Sequence, residues 1–290
     1  MAGAVWTKVG TLLEMIKFSH TIFAFPFALM GATLAALASG QPPSAAQVGW
    51  ICLAMVGART AAMGLNRIID ARIDAQNPRT ANRPLPAGKV SLLEAWLMVT
   101  IATGLLLLAA GMLNPLCLAL TPVAMGFFVL YAYCKRFTAL AHVVLGLCLA
   151  AAPVGAWIAL RGDLGWPVLV LGAAVLMWVT GFDVFYALQD VDFDQAEGLH
   201  SIPARLGVKP AILLGKLLHG VMIALLLLLP LGLPLGWLYY AGVAVISALI
   251  AYEHQLVRAD DLSKLNAAFF NMNGYISVTI FAFTLADVLL

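Results

Sequence analysis

The chain has 290 residues, of which 63% are hydrophobic and only 10% are charged. Its mean hydropathy of +0.97 lies far above the range of soluble domains. This composition excludes an ordinary soluble protein and predicts a polytopic membrane protein that lies in the lipid bilayer. The net charge of +2 says little until the charges are mapped onto the loops, and no nucleic-acid partner is expected.

Residues 1–17 carry apolar side chains at helical spacing, so we expect an amphipathic segment along the membrane interface. Nine apolar stretches follow, each long enough for a transmembrane helix, which takes roughly 17 to 25 residues. The first is too long for the hydrophobic part of a cleaved signal peptide and is interpreted as a retained span. The predicted spans are 18–39, 47–70, 91–111, 114–134, 138–160, 166–189, 210–231, 234–254 and 267–289.

The distribution of lysine and arginine predicts an orientation, because basic residues concentrate on the cytoplasmic side of membrane proteins. With the N-terminus in the cytoplasm, 14 of the 16 basic residues lie on the cytoplasmic side. The two exceptions are Arg59, which lies inside the second span, and Arg161, which lies in an opposite loop. We therefore expect the chain in the inner (cytoplasmic) membrane of a bacterium. The second and sixth spans then end at the cytoplasmic face.

The second predicted span ends in a stripe of polar side chains. Asn66, Asp70 and Asp74 stand four residues apart, so on a helix they project from one face. Ionised groups at membrane depth are costly and usually functional. Carboxylate oxygens are the ligands that Mg²⁺ prefers, and Mg²⁺ keeps further positions for water and for the phosphates of a substrate.

A second acidic stripe ends the sixth predicted span. Asp183, Asp190 and Asp194 fall at positions i, i+7 and i+11, which on a continuous helix also share a face. Two such stripes could face each other across a cavity and grip a diphosphate from both sides.

The pattern of span, acidic end and polar loop occurs twice, and the loops, 70–91 and 190–210, contain the segments 79–88 and 198–207. This repetition predicts a single domain over residues 1–290 that is built from two weakly repeated halves. The acidic motif of the first half lies at 66–74, and that of the second half lies at 183–194.

Five ordered motifs, together with the nine spans, resemble those of the UbiA superfamily of intramembrane prenyltransferases, in particular 4-hydroxybenzoate polyprenyltransferases. The resemblance covers essentially the whole chain. The commoner first motif begins Asn-Asp where this chain has Asn66-Arg67, and some relatives have an acid where it has Gly198. The motifs are N-x-x-x-D-x-x-x-D at 66–74, R-T-x-N-R-P-L-x-x-G at 79–88, Y-x-x-x-K at 131–135, D-x-x-x-D at 190–194 and G-x-x-S-I-P-x-x-L-G at 198–207.

The resemblance implies an all-α bundle of nine transmembrane helices around a central cavity, with Mg²⁺ as the cofactor that activates an isoprenyl diphosphate. Asp70 and Asp74 are expected to bind one Mg²⁺, and Asp190 and Asp194 another. Asn66 would serve as a neutral oxygen ligand or as an orienting hydrogen-bond partner.

Asp183 and Asp190 are the candidate catalytic residues. Asp183 lies two turns inside the sixth span and could orient or deprotonate the hydroxyl of the acceptor, or else pair with a buried cation. The metals would neutralise charge on the departing diphosphate while an aromatic ring attacks the allylic carbon.

Further candidates for substrate binding are basic or aromatic. Lys135, Arg79 and Arg83 could meet phosphate oxygens, with positive-inside anchoring as the alternative, and Tyr131 lies one turn before Lys135. Arg59 lies two turns deeper than Asn66 on the same face.

A guanidinium at the depth of Arg59 suits the carboxylate of an acceptor such as a hydroxybenzoic acid, and a structural pair with Asp183 is the alternative. His142 and His20 are expected to form hydrogen bonds between helices rather than to catalyse.

The expected function is Mg²⁺-dependent transfer of a polyprenyl group from polyprenyl diphosphate to an aromatic acid, foremost 4-hydroxybenzoate, in ubiquinone or menaquinone biosynthesis. A hydroxynaphthoate prenyltransferase of menaquinone synthesis is the alternative that the unusual Arg67 favours. A membrane transporter with intramembrane Asp and Arg is the alternative from another class. It predicts acids spread along a path, whereas here they crowd at one side.

Overall fold

The computed structural model describes residues 2–17, 21–260, 262, 265 and 271–290. The regular elements in that part of the chain are helices. They are α1 (Ala2–Met15), α2 (Thr21–Ser39), α3 (Ala45–Gln76), α4 (Leu92–Leu113), α5 (Pro115–Cys134), α6 (Ala141–Arg161), α7 (Trp166–Ala187), α8 (Val191–Ala196), α9 (Ile202–Leu206), α10 (Val208–Leu228), α11 (Trp237–Leu256) and α12 (Asn273–Leu289). Two 3₁₀ turns, Leu188–Asp190 and Leu229–Leu231, follow α7 and α10.

The predicted all-α membrane bundle is confirmed, and each predicted span overlaps a helix. The first and last predicted spans begin at residues outside the described part of the chain, and His20 also lies outside it. Among the described residues, six helical segments are long and apolar enough to cross a membrane, and α2 and α12 contain shorter apolar helices. Helix α11 overlaps the eighth predicted span. The six are Ala45–Gln76, Leu92–Leu113, Pro115–Cys134, Ala141–Arg161, Trp166–Ala196 and Val208–Leu231.

The chain forms two compact units. The first contains Met1–Thr21 and Gly49–Tyr133, and the second contains Ile22–Val48 and Cys134–Leu290. Each unit therefore joins pieces of chain that are distant in sequence.

In the first unit, glycine lets α3 and α4 approach closely. A Cβ atom at Gly57 would lie 2.8 Å from the carbonyl oxygen of Ala102, closer than real Cβ contacts come. Helix α1 is fixed by a polar contact near its middle and another at its C-terminal end: Lys8 pairs with Glu94 at 2.8 Å, and the Met15 carbonyl accepts a hydrogen bond from Arg67 Nε at 3.1 Å. These contacts hold α1 against α3 and α4.

In the second unit, α6 and α7 pack closely where Gly146 meets the turn that contains Thr180. A Cβ atom at Gly146 would lie 2.8 Å from both the Leu176 carbonyl oxygen and Thr180 Oγ1. Because glycine has no Cβ atom, Gly146 permits this close spacing of the two helices, one turn away from His142 and Asp183.

A buried histidine joins three helices of the second unit. His219 on α10 is fully buried, and its Nδ1 and Nε2 atoms lie 3.0 Å from His254 Nε2 on α11 and 3.3 Å from the Trp178 carbonyl oxygen on α7. Because a carbonyl oxygen can only accept, His219 donates from Nε2 and accepts at Nδ1. This network orders the core behind the second acidic stripe.

Candidate functional site

The first acidic stripe lies on one uninterrupted helix. Helix α3 continues past the predicted end at residue 70 to Gln76, so Asn66, Asp70 and Asp74 are all helical. Asp70 and Asp74 are 3% and 4% exposed. Asn66 Nδ2 donates a hydrogen bond to Asp70 Oδ2 at 3.1 Å, so the expected orienting role of this amide has a structural basis.

Arginine side chains compensate the charge of Asp74. Arg83 Nη1 lies 2.7 and 2.8 Å from the two carboxylate oxygens, and Arg67 Nη1 lies 3.6 Å from Oδ2. A buried carboxylate needs such partners because burial removes its hydration. Arg83 thus contacts the acidic stripe, whereas its contact with phosphate stays a prediction.

The loop that carries Arg83 is folded back by its own polar residues. Asn77 Oδ1 accepts a hydrogen bond from the Arg79 backbone N–H at 2.9 Å, which is the Asx turn that asparagine favours. Thr80 Oγ1 donates to the Asp74 carbonyl oxygen at 2.9 Å. The side chain of Arg79 is exposed in this loop.

Sequence reasoning noted Arg67 only as a departure from the common motif, yet it is a structural partner of the stripe. Its guanidinium is buried and contacts Met15, Asn66 and Asp74. The signal that could have identified it is the spacing of seven residues to Asp74, which places both on one helical face.

Arg59 lies two turns before Asn66 and is half-buried. Its Nε atom is buried and has no hydrogen-bond partner among the described residues. Tyr131, another predicted site residue of the same unit, lies within electrostatic range of Arg59 and Arg67. The structure therefore brings together Arg59 and Tyr131 in the first unit.

The second stripe differs from the sequence-based expectation. Helix α7 ends at Ala187, the 3₁₀ turn Leu188–Asp190 follows, and α8 begins at Val191. A 3₁₀ turn has about 3.0 residues per turn instead of 3.6, so the α-helical register does not continue through it. The prediction of one continuous helix through Asp183, Asp190 and Asp194 is therefore wrong, whereas a shared face for the three side chains stays a prediction.

Asp183 is paired with a histidine. Its Oδ2 lies 2.7 Å from Nδ1 of His142 on α6, and His142 Nε2 lies 3.3 Å from the backbone nitrogen of Ile202. The prediction that His142 forms hydrogen bonds between helices is confirmed. The partner that the structure gives to Asp183 Oδ2 is thus a histidine, and the alternative pair with Arg59 stays a prediction.

The loop that follows the second stripe begins α9 and reaches back to the stripe. Ser201 is the N-cap of α9, since its Oγ accepts from the Ala204 N–H at 3.3 Å, and Pro203 lies in the first turn, where its missing N–H does no harm. Ser201 also lies within hydrogen-bonding reach of the Asp194 carboxylate. The S-I-P motif is therefore a capping motif with a contact to the stripe.

Lys135 is the first residue beyond α5, and its carbonyl oxygen accepts a hydrogen bond from the His200 N–H at 2.7 Å. The second unit thus brings together Lys135, Asp194 and the 198–207 loop.

The donor atoms suit Mg²⁺. Among the described residues, no three His, Cys, Asp or Glu side chains are grouped as a metal centre. Each stripe instead offers carboxylate oxygens, and in the first the two carboxylates are buried beside an amide. Mg²⁺ is commonly held by one or two carboxylates, with water and substrate phosphates completing its octahedron.

Comparisons with known proteins agree on one family. Residues 24–275 match the model of the UbiA prenyltransferase family. The chain is 35% identical over 231 residues to a 4-hydroxybenzoate octaprenyltransferase of Vibrio cholerae, which covers 79% of this chain and 80% of the relative. It is 32% identical over 225 residues to the enzyme of the same name from Vibrio campbellii, covering 77% and 78%.

Solved structures share the fold. The structure of a UbiA homolog from Aeropyrum pernix K1 in its apo form matches with a TM-score of 0.83 and 34% identity, over 92% of this chain and 98% of that one. A UbiA homolog from Archaeoglobus fulgidus bound to GPP and Mg²⁺ matches with a TM-score of 0.71 over 97% of this chain and 100% of that one. At 17% identity, the second match indicates the fold alone.

Proposed function

We propose a reaction for this chain, which belongs to the UbiA prenyltransferase family. The reaction is the transfer of a polyprenyl group from polyprenyl diphosphate to an aromatic acid, with Mg²⁺ as cofactor. Family membership favours this enzyme over a transporter. The observation that carries the proposal is the pair of buried carboxylates, Asp70 and Asp74, at the end of an apolar helix with arginine beside them. Such a site suits a cation together with a phosphorylated substrate.

Each stripe has its own proposed role in metal binding. Asp70 and Asp74 would hold one Mg²⁺ with help from Asn66, and Asp190 and Asp194 would hold another. When bound, Mg²⁺ supplies charge neutralisation to the leaving diphosphate.

The cations of the two units would bind phosphate oxygens. Arg83 already lies beside the acidic stripe, so its guanidinium would lie close to a phosphate bound at that stripe. Lys135, held by its backbone to the loop after the second stripe, and the exposed Arg79 are further candidates.

The reaction breaks the bond between the allylic carbon and the diphosphate oxygen, and the electron pair leaves with the diphosphate. A ring carbon of the acceptor attacks the allylic carbon, and the ring then loses the proton from that carbon. Asp183 would orient or deprotonate the acceptor hydroxyl, which makes the ring more electron-rich.

The acceptor is proposed to be 4-hydroxybenzoate. Arg59 supports an acceptor that carries a carboxylate, because a buried guanidinium nitrogen without a hydrogen-bond partner is costly unless a ligand supplies one. The names of the Vibrio relatives support a hydroxybenzoate. A hydroxynaphthoate also carries a carboxylate and a hydroxyl, and it remains the second candidate.

The test is a product assay with purified protein in detergent. Labelled geranyl diphosphate is incubated with 4-hydroxybenzoate, with a hydroxynaphthoate or with no acceptor, in Mg²⁺ or in EDTA. We expect a prenylated hydroxybenzoate, identified by mass spectrometry, only in Mg²⁺. Product in EDTA would overturn the role of the metal, a preference for the naphthoate would select the second candidate, and no product from any acceptor would overturn the reaction.

We also infer that the N-terminus and both acidic stripes face the cytoplasm of a bacterial inner membrane, because nearly all basic residues are then on that side. Cysteine labelling supplies the test. A cysteine at Lys89 is expected to be protected from an impermeant reagent in intact cells, and a cysteine at Asp163 is expected to react. The reverse pattern would invert the orientation.

A further inference from the structure

His142 is placed between two parts of the second unit that serve different substrates in the proposed function. It is buried on α6 and contacts Asp183 on α7 through Nδ1 and Ile202 at the start of α9 through Nε2. Its own carbonyl oxygen accepts a hydrogen bond from Thr180 at 3.4 Å, which adds a second link between α6 and α7.

The contacts fix the tautomer of His142. A backbone N–H can only donate, so Nε2 accepts from Ile202 and the ring proton lies on Nδ1, where it is donated to the Asp183 carboxylate. A hydrogen bond to one ring nitrogen commonly sets the tautomer and orientation of a histidine beside a functional carboxylate or a metal. Here it fixes the direction of the Asp183 carboxylate.

Exposure shows which member of the pair a substrate can reach. The side chain of Asp183 is 17% exposed and that of His142 is 5% exposed. The carboxylate can therefore meet a ligand while the imidazole stays behind it. This arrangement assigns contact with substrate to Asp183 and a positioning role to His142.

The other ring nitrogen holds the loop that follows the second stripe. Ile202 is the residue after Ser201, which caps α9 and reaches Asp194, and His200 on the other side is bonded to the Lys135 carbonyl. A displacement of Ile202 would move these groups together. Nε2 is thereby linked to the residues proposed to bind Mg²⁺ and diphosphate.

We propose that His142 is a positioning residue that serves the two substrates through separate ring nitrogens: Nδ1 orients Asp183 for the acceptor, and Nε2 anchors the loop that positions Asp194 and Lys135 for the diphosphate. This inference rests on the proposed function. It predicts that the two roles can be separated by substitution, since each nitrogen has its own partner.

Two amide substitutions provide the separation. In His142→Asn the amide nitrogen can take the place of Nδ1 and donate to Asp183, but the side chain is too short to reach Ile202. In His142→Gln the amide oxygen can take the place of Nε2 and accept from Ile202, but no donor stands at the position of Nδ1. Each variant thus keeps one hydrogen bond and loses the other.

The readout is the KM for each substrate, measured at saturating concentrations of the other. We expect His142→Gln to raise the KM for 4-hydroxybenzoate about tenfold, and His142→Asn to raise the KM for geranyl diphosphate about tenfold, as the loss of one hydrogen bond to an oriented polar group allows. The other KM in each variant is expected to change less than about twofold. A histidine with a structural role alone would change both KM values alike in both variants, and that result would overturn the inference.

A further variant keeps the inference testable if the histidine variants fail to fold. Ile202→Pro removes the backbone N–H whose hydrogen bond Nε2 accepts, at a helix position where proline is tolerated. It also removes the Ile202 side chain from an apolar cluster, so Ile202→Ala, which keeps the N–H, is its matched control. Ile202→Pro is expected to raise the KM for geranyl diphosphate and to leave that for 4-hydroxybenzoate unchanged, and an unchanged KM for both would overturn the loop-anchoring role. Wild-type protein that turns over neither substrate would instead overturn the proposed function.

Discussion

The two acidic stripes carry the same kind of side chain but differ in how their charge is compensated. In the first, the carboxylate of Asp74 contacts the guanidinium of Arg83 at 2.7 Å on an uninterrupted helix. In the second, Asp194 follows a break in the helix and is reached by the hydroxyl of Ser201, with Lys135 within electrostatic range. Because a guanidinium in contact with both carboxylate oxygens compensates a carboxylate better than a hydroxyl does, Asp194 should depend more strongly than Asp74 on a bound cation.

The largest effect is expected when the second stripe loses a carboxylate. Asp194→Asn should lower the rate of prenyl transfer by about 10²- to 10³-fold, the range for removing a group that stabilises charge in the transition state. Because the lost charge is the one proposed to hold Mg²⁺, the Mg²⁺ concentration for half-maximal rate should also rise. Initial rates of labelled product formation across a MgCl₂ series measure both.

Asp192→Asn is the matched control for that experiment. Asp192 lies on the same short helix but is exposed, so its rate should stay within about twofold of wild type. Equal losses in the two variants would mean that the net charge of the helix matters rather than a ligand position.

The next largest expected effect is a loss of stability when the first stripe loses its arginine partner. Arg83→Ala leaves the buried Asp74 carboxylate without its nearest cation, so the free energy of unfolding should fall by about 3 kcal/mol. Mg²⁺ should restore part of the loss because it supplies a replacement cation. Unfolding in detergent, followed with and without MgCl₂, measures the change.

Arg72→Ala is the matched control, because it removes an exposed arginine from α3, the helix that carries Asp74. It should change the free energy of unfolding by less than about 0.5 kcal/mol. If Arg83→Ala were as stable as Arg72→Ala, the ion pair with Asp74 would contribute nothing, and the contrast between the stripes would disappear.

The sequence was sufficient to predict the helices because apolar runs of membrane length have few alternatives to a helix in lipid. It did not predict the break at Leu188–Asp190, which contains neither glycine nor proline. Leu188 is buried in a cluster with Phe185 and Ile212, so packing against α10 accompanies the turn. Tertiary contacts of this kind have no signature in local sequence.

The acidic residues of the site could be predicted from their spacing, but their partners could not. The contact between Asp74 and Arg83 depends on a loop that Asn77 and Thr80 fold back onto the helix. The contact of Asp183 with His142 depends on the close approach that Gly146 permits between α6 and α7. Periodicity identifies the face of a helix, whereas partners require the three-dimensional path of the chain.

A smaller effect is expected at Arg59, the cation of the first unit whose Nε has no partner among the described residues. Arg59→Lys keeps the charge but loses the planar pair of donors that fits a carboxylate, so the KM for 4-hydroxybenzoate should rise about tenfold. The methyl ester of the acceptor supplies the control, because wild type and variant should use it equally. A difference that persists with the ester would assign Arg59 to another part of the reaction.

The smallest effect compares two capping serines, one in each unit. Ser201→Ala and Ser91→Ala each remove an N-cap hydroxyl, from α9 and from α4, and each should lower the free energy of unfolding by about 1 kcal/mol. Only Ser201 also reaches an acidic stripe, so only Ser201→Ala should raise the Mg²⁺ concentration for half-maximal rate, by about threefold. Equal Mg²⁺ dependence in the two variants would show that the contact between Ser201 and Asp194 does not tune the second stripe, and it would leave the helix break and the Arg83 contact of the first stripe as the differences between the stripes.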